Sequence, residues 1–314
     1  ILENDGKVLL LQKNILSLWN FIKETEEGIG RTRLLKIIEE ACFKNYKFFY
    51  ILPEVYQTNV IFSDEFLPTV NDLRRNHHFS REHNIYGTLE NEFLHKFLEN
   101  KPSDFKYCAN TFLVELSKAE ISNNVKAVFF NNVRPEEYRL KTIVYNDKVM
   151  KEPVNELSIE HIKLIEKNIN ILKQCEINVL DTYENNKINS TVLKDCKRFD
   201  DEIIKVYYEN LEEAINMIDN FKTQVLEKLN KISYENTVFQ KYDIEVSKKD
   251  LEELAFVEHG FWDLTFQNAF IKDNMFYIYD QEWYEKNVPI EFILYRSILM
   301  LNTLKDEEKE ELLK

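Results

Sequence analysis

The sequence predicts an α+β chain with a strand-rich part followed by a helical part, and a partial α/β segment ahead of both. Three observations predict it. Between Phe105 and Pro153, four short strand-like runs (NTFLVELS, KAVFFNN, EYRLKTIVYN and KVMKEPV) are separated by polar turns. A single amphipathic helix then follows, SIEHIKLIEKNINIL, with Ile159, Ile162, Ile165, Ile169 and Leu172 on one face and Ser158 in position to cap it. After Cys196 the spacing is helical over most of the remaining chain, with Leu211, Ile215, Ile218, Val225 and Leu229 recurring at helical intervals.

Taken in order, residues 1–70 read as mixed α/β. KVLLLQ suits a buried strand, and TRLLKIIEEACF places Leu34, Leu35, Ile38, Cys42 and Phe43 near helical spacing. YKFFYIL and TNVIFS are two further strands. Residues 71–104 are polar and read as a linker with one helix, LENEFLHKFLEN. His77, His78, His83 and His95 fall here and read as a solvated stretch, since no His pair with metal-ligand spacing lies on a clear helix. Residues 105–195 form the strand-rich part, closed by INVLDTYENNKINSTVLK as two strands around a polar turn. Residues 196–314 form the helical part. It is interrupted by the strands NAFIKD and MFYIYD and ends in the helix PIEFILYRSILMLNTL, with Pro289 in its first turn, and the solvated helical face KDEEKEELLK.

Composition narrows the function. The 314 residues carry 41 basic and 55 acidic side chains, a net charge of −14 that argues against nucleic acid as the main partner. With 5 glycines, no G-x-G-x-x-G or G-x-x-x-x-G-K-[ST] motif exists. Cys42, Cys108, Cys175 and Cys196 are far apart and read as reduced core thiols of a cytoplasmic protein. No apolar run is long enough to span a bilayer and no signal peptide is present. The chain begins at Ile1 rather than Met, so its start need not be a natural domain start.

The chemistry concentrates in EHGFWDLTFQNAFIKDNMFYIYDQEW. Asp263 lies five residues before Asn268, on a loop leading into a strand. The hairpin turns at KDN, and its second strand ends at Asp280. A hairpin of this size brings the start of one strand beside the end of the other, so Asn268 and Asp280 should face one cleft. An amide oxygen and a carboxylate are the hard ligands Mg²⁺ takes, and Asp263 is offset to accept the proton of an attacking hydroxyl.

On these residues, D-L-T-F-Q-N…Y-I-Y-D, the segment resembles the catalytic loop and metal segment of the kinase superfamily, above all its small-molecule branch of aminoglycoside- and choline-kinase type. The resemblance implies a two-lobed protein-kinase-like fold for 105–314. It implies Asp263 as catalytic base, Asn268 as metal ligand, Asp280 as the main metal aspartate and Mg-ATP as cofactor. KVMK would be the third strand of the first lobe. Lys151 would then steady the nucleotide phosphates, with Lys148 as the alternative, paired with Glu166 or Glu160 on the next helix. There are departures. The connection that should cover the phosphates, NNVRPEE, has no glycine, Phe261 and Trp262 separate Gly260 from Asp263 so that His259 is out of register, and Asp280 is followed by Gln-Glu.

The stretch from Gly28 to Pro68 resembles the tail of class I S-adenosylmethionine-dependent methyltransferases. With the WDLTFQNAF…YIYDQEWY…PIEFILYRSI segment it looks like bacterial proteins of surface-polysaccharide synthesis in which such a tail precedes a kinase-like region. The glycine-rich cofactor turn of that fold is missing here, so S-adenosylmethionine is not expected to bind this chain alone. The function expected is phosphotransfer from Mg-ATP to a small molecule or surface-glycan precursor. The alternatives are a catalytically inactive pseudokinase binding module attached to a methyltransferase remnant, and a methyltransferase fragment.

Overall fold

The computed structural model describes residues 6–17, 20, 27–69, 96, 101–233 and 237–313. The chain divides into two compact units, Ile1–Asn155 and Glu156–Lys314. The four linker histidines and, apart from residue 96, the helix expected at LENEFLHKFLEN lie outside the described residues.

Unit 1 carries β1 (Lys7–Lys13), α1 (Arg31–Glu40), β2 (Asn45–Leu52), β3 (Val60–Ser63), α2 (Phe105–Cys108), β4 (Thr111–Ser117), β5 (Ala127–Phe130), β6 (Leu140–Val144) and β7 (Lys148–Pro153). Within the unit the strands lie in the order β1-β4-β2-β3-β5-β6-β7, and every one of these pairings is antiparallel. Alternate residues of β2 explain its inner face: Phe48, Tyr50 and Leu52 meet Phe112 and Val114 of β4 and Leu34 and Ile38 of α1 in one core. Helix α1 stops before the expected Cys42–Phe43 end. Cys42 takes the left-handed conformation at φ 62 and Phe43 N–H bonds back to Ile38 O at 3.2 Å, which closes the helix.

Two features of unit 1 differ from the sequence-based expectation. β4 was expected to open a separate strand-rich part at residue 105; instead it runs between β1 and β2, so one sheet spans the expected 70/105 boundary. The reason is that six of the seven residues of β4 are buried, on both its faces, which suits an interior strand. KVLLLQ, expected to be buried, is the margin strand β1 with Leu9 69% and Leu11 49% exposed. The thiols also differ from expectation: none is in a disulfide, but Cys42 is exposed and the others half-buried rather than core.

Glu115, on the outward face of β4, is 4% exposed and accepts from Lys7 Nζ at 2.7 Å and Asn123 Nδ2 at 2.9 Å. Burial opposes its ionisation, but those two hydrogen bonds and the Lys7 and Lys47 charges outweigh it and hold the carboxyl below its ordinary 4.5. A carboxyl with a lowered folded-state value stabilises above about pH 4.5 and loses that contribution as pH falls through the folded value. Glu115→Gln is therefore expected to be less stable than wild type at pH 7, with the gap narrowing below about pH 4.5. Urea titrations at several pH values measure it, and parallel curves at all pH values would refute it.

Unit 2 begins with α3 (Ile159–Gln174). Ser158 occupies its N-cap position, with no capping bond from the side chain. The hairpin β8 (Asp181–Glu184) and β9 (Lys187–Thr191) turns at Asn185 and Asn186, both at positive φ (51 and 57), the conformation two-residue hairpins favour. Then come β10 (Lys197–Arg198), α4 (Phe199–Glu209), α5 (Leu211–Gln224), β11 (Lys231–Ile232), α6 (Val238–Lys241), α7 (Lys248–Glu253), β12 (Phe256–Phe261), β13 (Ala269–Lys272), β14 (Met275–Ile278), β15 (Tyr284–Pro289), α8 (Ile290–Leu299) and α9 (Asp306–Leu312). Two three-stranded sheets result, β10-β13-β14 and β11-β12-β15.

The helical spacing expected after Cys196 is split at Asn210, whose extended backbone ends α4 and whose side chain accepts from Glu213 N–H to cap α5. The core of the unit centres on Phe199, Phe221, Phe266 and Phe276, with ring centroids 4.7–5.3 Å apart. β12 and β15, neither of which the sequence suggested, lie close together because Gly260 has no side chain: a Cβ there would stand 2.7 Å from Val288 Cβ. Among the described residues no helix is long and apolar enough to cross a membrane.

Candidate functional site

The hairpin β13–β14 forms where the sequence placed it, turning at Asp273 and Asn274 with φ of 50 and 58. Ala269 pairs with Ile278, and the ladder continues one step further, Tyr279 N–H donating to Asn268 O at 3.1 Å. Asn268 and the Tyr279–Asp280 stretch are therefore neighbours at the end of the hairpin away from its turn.

Asp263 and Asn268 are joined across a single turn of 3₁₀ helix, Phe266–Asn268. Asn268 Nδ2 donates to Asp263 O at 2.9 Å. That bond uses a donor of the amide and leaves Oδ1 as the group's acceptor. Asp263 Oδ2 accepts the Glu282 N–H at 3.4 Å, tying the carboxylate to the chain just past Asp280.

Three of the loop's carbonyls are caught by side chains. Trp262 O accepts from Arg296 Nε (2.7 Å) and Asp263 O from Gln281 Nε2 (2.9 Å) as well as from Asn268. Gln267 O accepts from Tyr279 OH (2.7 Å) and from Arg198 Nη2 (3.1 Å). Arg198 is itself held by Asp200 through two bonds of 3.0 Å. Burial disfavours the guanidinium charge, but the Asp200 bonds and the surrounding acidic groups raise its pKa above the ordinary arginine value. A loop with its backbone groups satisfied by side chains from four other places in the unit is rigid, as a reacting site requires.

Asp280 adopts φ 62. Aspartate is among the residues that tolerate this left-handed region, at a cost of about 1–2 kcal/mol that the surroundings must offset. They do so from behind. Asp280 N–H donates to Asp181 Oδ2 at 2.7 Å, and Asp181, 1% exposed, also accepts the Ser190 hydroxyl. Two residues on, Asn168 of α3 donates to both Gln281 O (3.1 Å) and Glu282 O (3.2 Å). His161, also on α3, meets Glu282 Oε2 at 3.3 Å and lies 5.0 Å from the Trp283 ring. Sequence reasoning missed Asp181, Ser190, His161 and Asn168. The available signal was the placing of His161 and Asn168 within the apolar stripe of α3, where both are buried.

The other expected residues divide as follows. Lys151 is half-buried on β7 of unit 1, and Lys148 is exposed with its Nζ 5.7 Å from the Tyr145 ring. On α3, Glu160 is exposed and paired with Lys163 at 2.6 Å, and Glu166 is half-buried. His259 stands on β12 with Nδ1 3.0 Å from Tyr284 OH. Asp263, Asn268 and Asp280 are thus brought together within unit 2, while Lys151 and Lys148 belong to unit 1.

The donor set at the hairpin's end suits a hard divalent cation. The amide oxygen of Asn268 and the Asp280 carboxylate are oxygen donors, and Mg²⁺ binds through one or two such groups while keeping several waters. Among the described residues no cluster of three or more His, Cys, Asp or Glu side chains with metal-binding arrangement exists.

The chain matches no protein-family model, and no curated protein matches it. Among solved structures it is similar to the ternary complex of APH(2'')-IIa with streptomycin and ATP, at 12% identity and a TM-score of 0.36, covering 57% of this chain and 70% of that one. It is similar to the ADP-bound aminoglycoside phosphotransferase APH(2'')-Ib at 12% identity and a TM-score of 0.38, covering 60% and 76%. The choline kinase LicA from Streptococcus pneumoniae matches at 13% identity and a TM-score of 0.33, over 60% and 74%. Likeness at this level assigns no role to any residue of this chain.

Proposed function

We propose that the chain is a kinase-like phosphotransferase that moves a phosphoryl group from Mg-ATP to a hydroxyl of a small molecule or glycan precursor. The observation that carries this is the bond from Asn268 Nδ2 to Asp263 O, made at the end of a hairpin whose other strand runs into Asp280. That contact ties Asn268 to the backbone of Asp263, and the hairpin register brings Asn268 beside the Tyr279–Asp280 stretch. Asp263 would take the proton of the attacking hydroxyl. Asn268 and Asp280 would hold Mg²⁺, which neutralises charge on the phosphates.

The acceptor is proposed as a small polar molecule, in a protein acting in the cytoplasm of a bacterium. Residues 1–70 are proposed as scaffold, a remnant of a methyltransferase-like α/β unit: α1 connects β1 to β2, and these run parallel on either side of β4.

A second reading is a module that binds nucleotide, glycan or partner without chemistry. The β5–β6 connection, 131–139, favours it, since no glycine there allows close backbone approach to phosphate. Labelled ATP with Mg²⁺ and a panel of amino alcohols, aminoglycosides and sugar phosphates separates the two. Label transfer to an acceptor is expected. Mg-ATP binding with no transfer to any acceptor would favour the second reading, and the absence of any Mg-ATP binding would remove both ATP-based readings.

A further inference from the structure

Asp181 stands 99 residues from Asp280 in sequence and directly behind it in unit 2. The route that brings it there is short. Ile278 N–H donates to Asn178 O at 2.8 Å and Leu180 N–H donates to Ile278 O at 2.9 Å, so the stretch before β8 lies alongside the end of β14. Val179 bridges Ile278 in parallel register, which puts Asp181 level with Asp280 two residues past each bridge partner.

From this juxtaposition we infer that Asp181 is a positioning residue of the site: it holds Asp280 in its left-handed conformation and so aims the metal-binding carboxylate. The inference rests on the phosphotransfer reading for the role of Asp280, though not for the geometry. Asp181 Oδ2 accepts the Asp280 backbone N–H and its Oδ1 the Ser190 hydroxyl. A backbone donor bonded to a buried carboxylate is stronger than a neutral bond, and a residue at φ 62 stays there only when its surroundings determine it. Asn168 fixes the next two carbonyls, Gln281 O and Glu282 O, so positions 280, 281 and 282 are each held by the α3–β9 part of the unit. The backbone of the residue that would hold the metal is thus held by a second carboxylate, the arrangement by which outer residues tune metal sites.

The test compares Asp181→Ala, Asp181→Asn and Ser190→Ala, each checked for ligand-free melting. Asparagine keeps one oxygen to accept the Asp280 N–H, loses the charge and turns an amide donor toward the Ser190 hydroxyl, whose oxygen can accept it, so it separates aim from electrostatics. In ligand-free protein, hydrogen exchange of the peptide spanning 277–283 is expected to speed up in Asp181→Ala, to do so less in Ser190→Ala, and to stay near wild type in Asp181→Asn. With ATP present, the Mg²⁺ concentration giving half-maximal thermal stabilisation is expected to rise on the order of 10-fold in Asp181→Ala and to be largely restored in Asp181→Asn. Unchanged exchange in Asp181→Ala, or equal acceleration in the Asn variant, would overturn the inference. If Asp181→Ala does not fold, the Asn and Ser190 variants decide it by the same measurements. If wild type shows no Mg-ATP stabilisation, the phosphotransfer reading fails, while the exchange measurements still decide whether Asp181 holds Asp280.

Discussion

Asp280→Asn is expected to remove the Mg²⁺-dependent part of ATP-induced thermal stabilisation while leaving the ligand-free melting temperature close to wild type. Asparagine tolerates the left-handed backbone of Asp280 and keeps the N–H that bonds to Asp181, so the fold around φ 62 is preserved. What it loses is the negative charge that a hard cation needs. A ligand at about 100 times its dissociation constant stabilises by about 2.7 kcal/mol; the Asn variant should lose most of that at the same Mg-ATP concentration. Asp280→Ala should lose it too, but should also melt earlier without ligand, because alanine in that conformation costs about 1–2 kcal/mol. Asp263→Asn supplies the contrast. It should bind Mg-ATP normally and transfer phosphate about 10²–10⁴-fold more slowly, the range general-base catalysis contributes. Undiminished Mg²⁺-dependent stabilisation in Asp280→Asn would end the metal assignment, whatever Asp263→Asn did.

The proximity of these three residues was legible because their relations are local. A turn of Asp273 and Asn274 fixes the register of β13 and β14, and the register alone brings Asn268 to Tyr279. The supporting groups were not legible, because their partners lie far along the chain. Asn168 finds its carbonyls 113 and 114 residues away, and nothing in a pattern of isoleucines at helical spacing says which strand that face will meet. What the spacing does say is that His161 and Asn168 lie on the buried stripe, and a buried polar side chain needs a partner. The same limit explains β1. Three consecutive leucines read as interior, but the interior place went to β4, which is buried on both faces. Asn210 was readable in principle: an asparagine three residues before Glu213 is a helix start, and it outweighed the apolar spacing that continued through it.

Phe266→Ala is expected to be among the most destabilising single changes in unit 2. Phe266 is 0% exposed and meets Phe199 at 5.2 Å and Phe221 at 5.3 Å, both edge-on. Truncating a buried phenylalanine costs about 3–5 kcal/mol through lost burial and the cavity left behind, a fall on the order of 10 °C in the melting temperature of a unit this size. The same ring is also the middle of D-L-T-F-Q-N. It pins the 3₁₀ turn that sets Asp263 O against Asn268 Nδ2, so its loss should loosen the site as well as the core. Phe199→Ala removes a ring from the same cluster but from α4 rather than from the loop. The two variants should therefore melt at similar temperatures, while Phe266→Ala alone weakens Mg-ATP binding measured well below either melting point. Equal weakening in both would mean that the loop takes its shape from the whole aromatic core and not from Phe266. A melting temperature within a degree or two of wild type for Phe266→Ala would show that the core can close over the gap, and the aromatic cluster would then not be what positions the site.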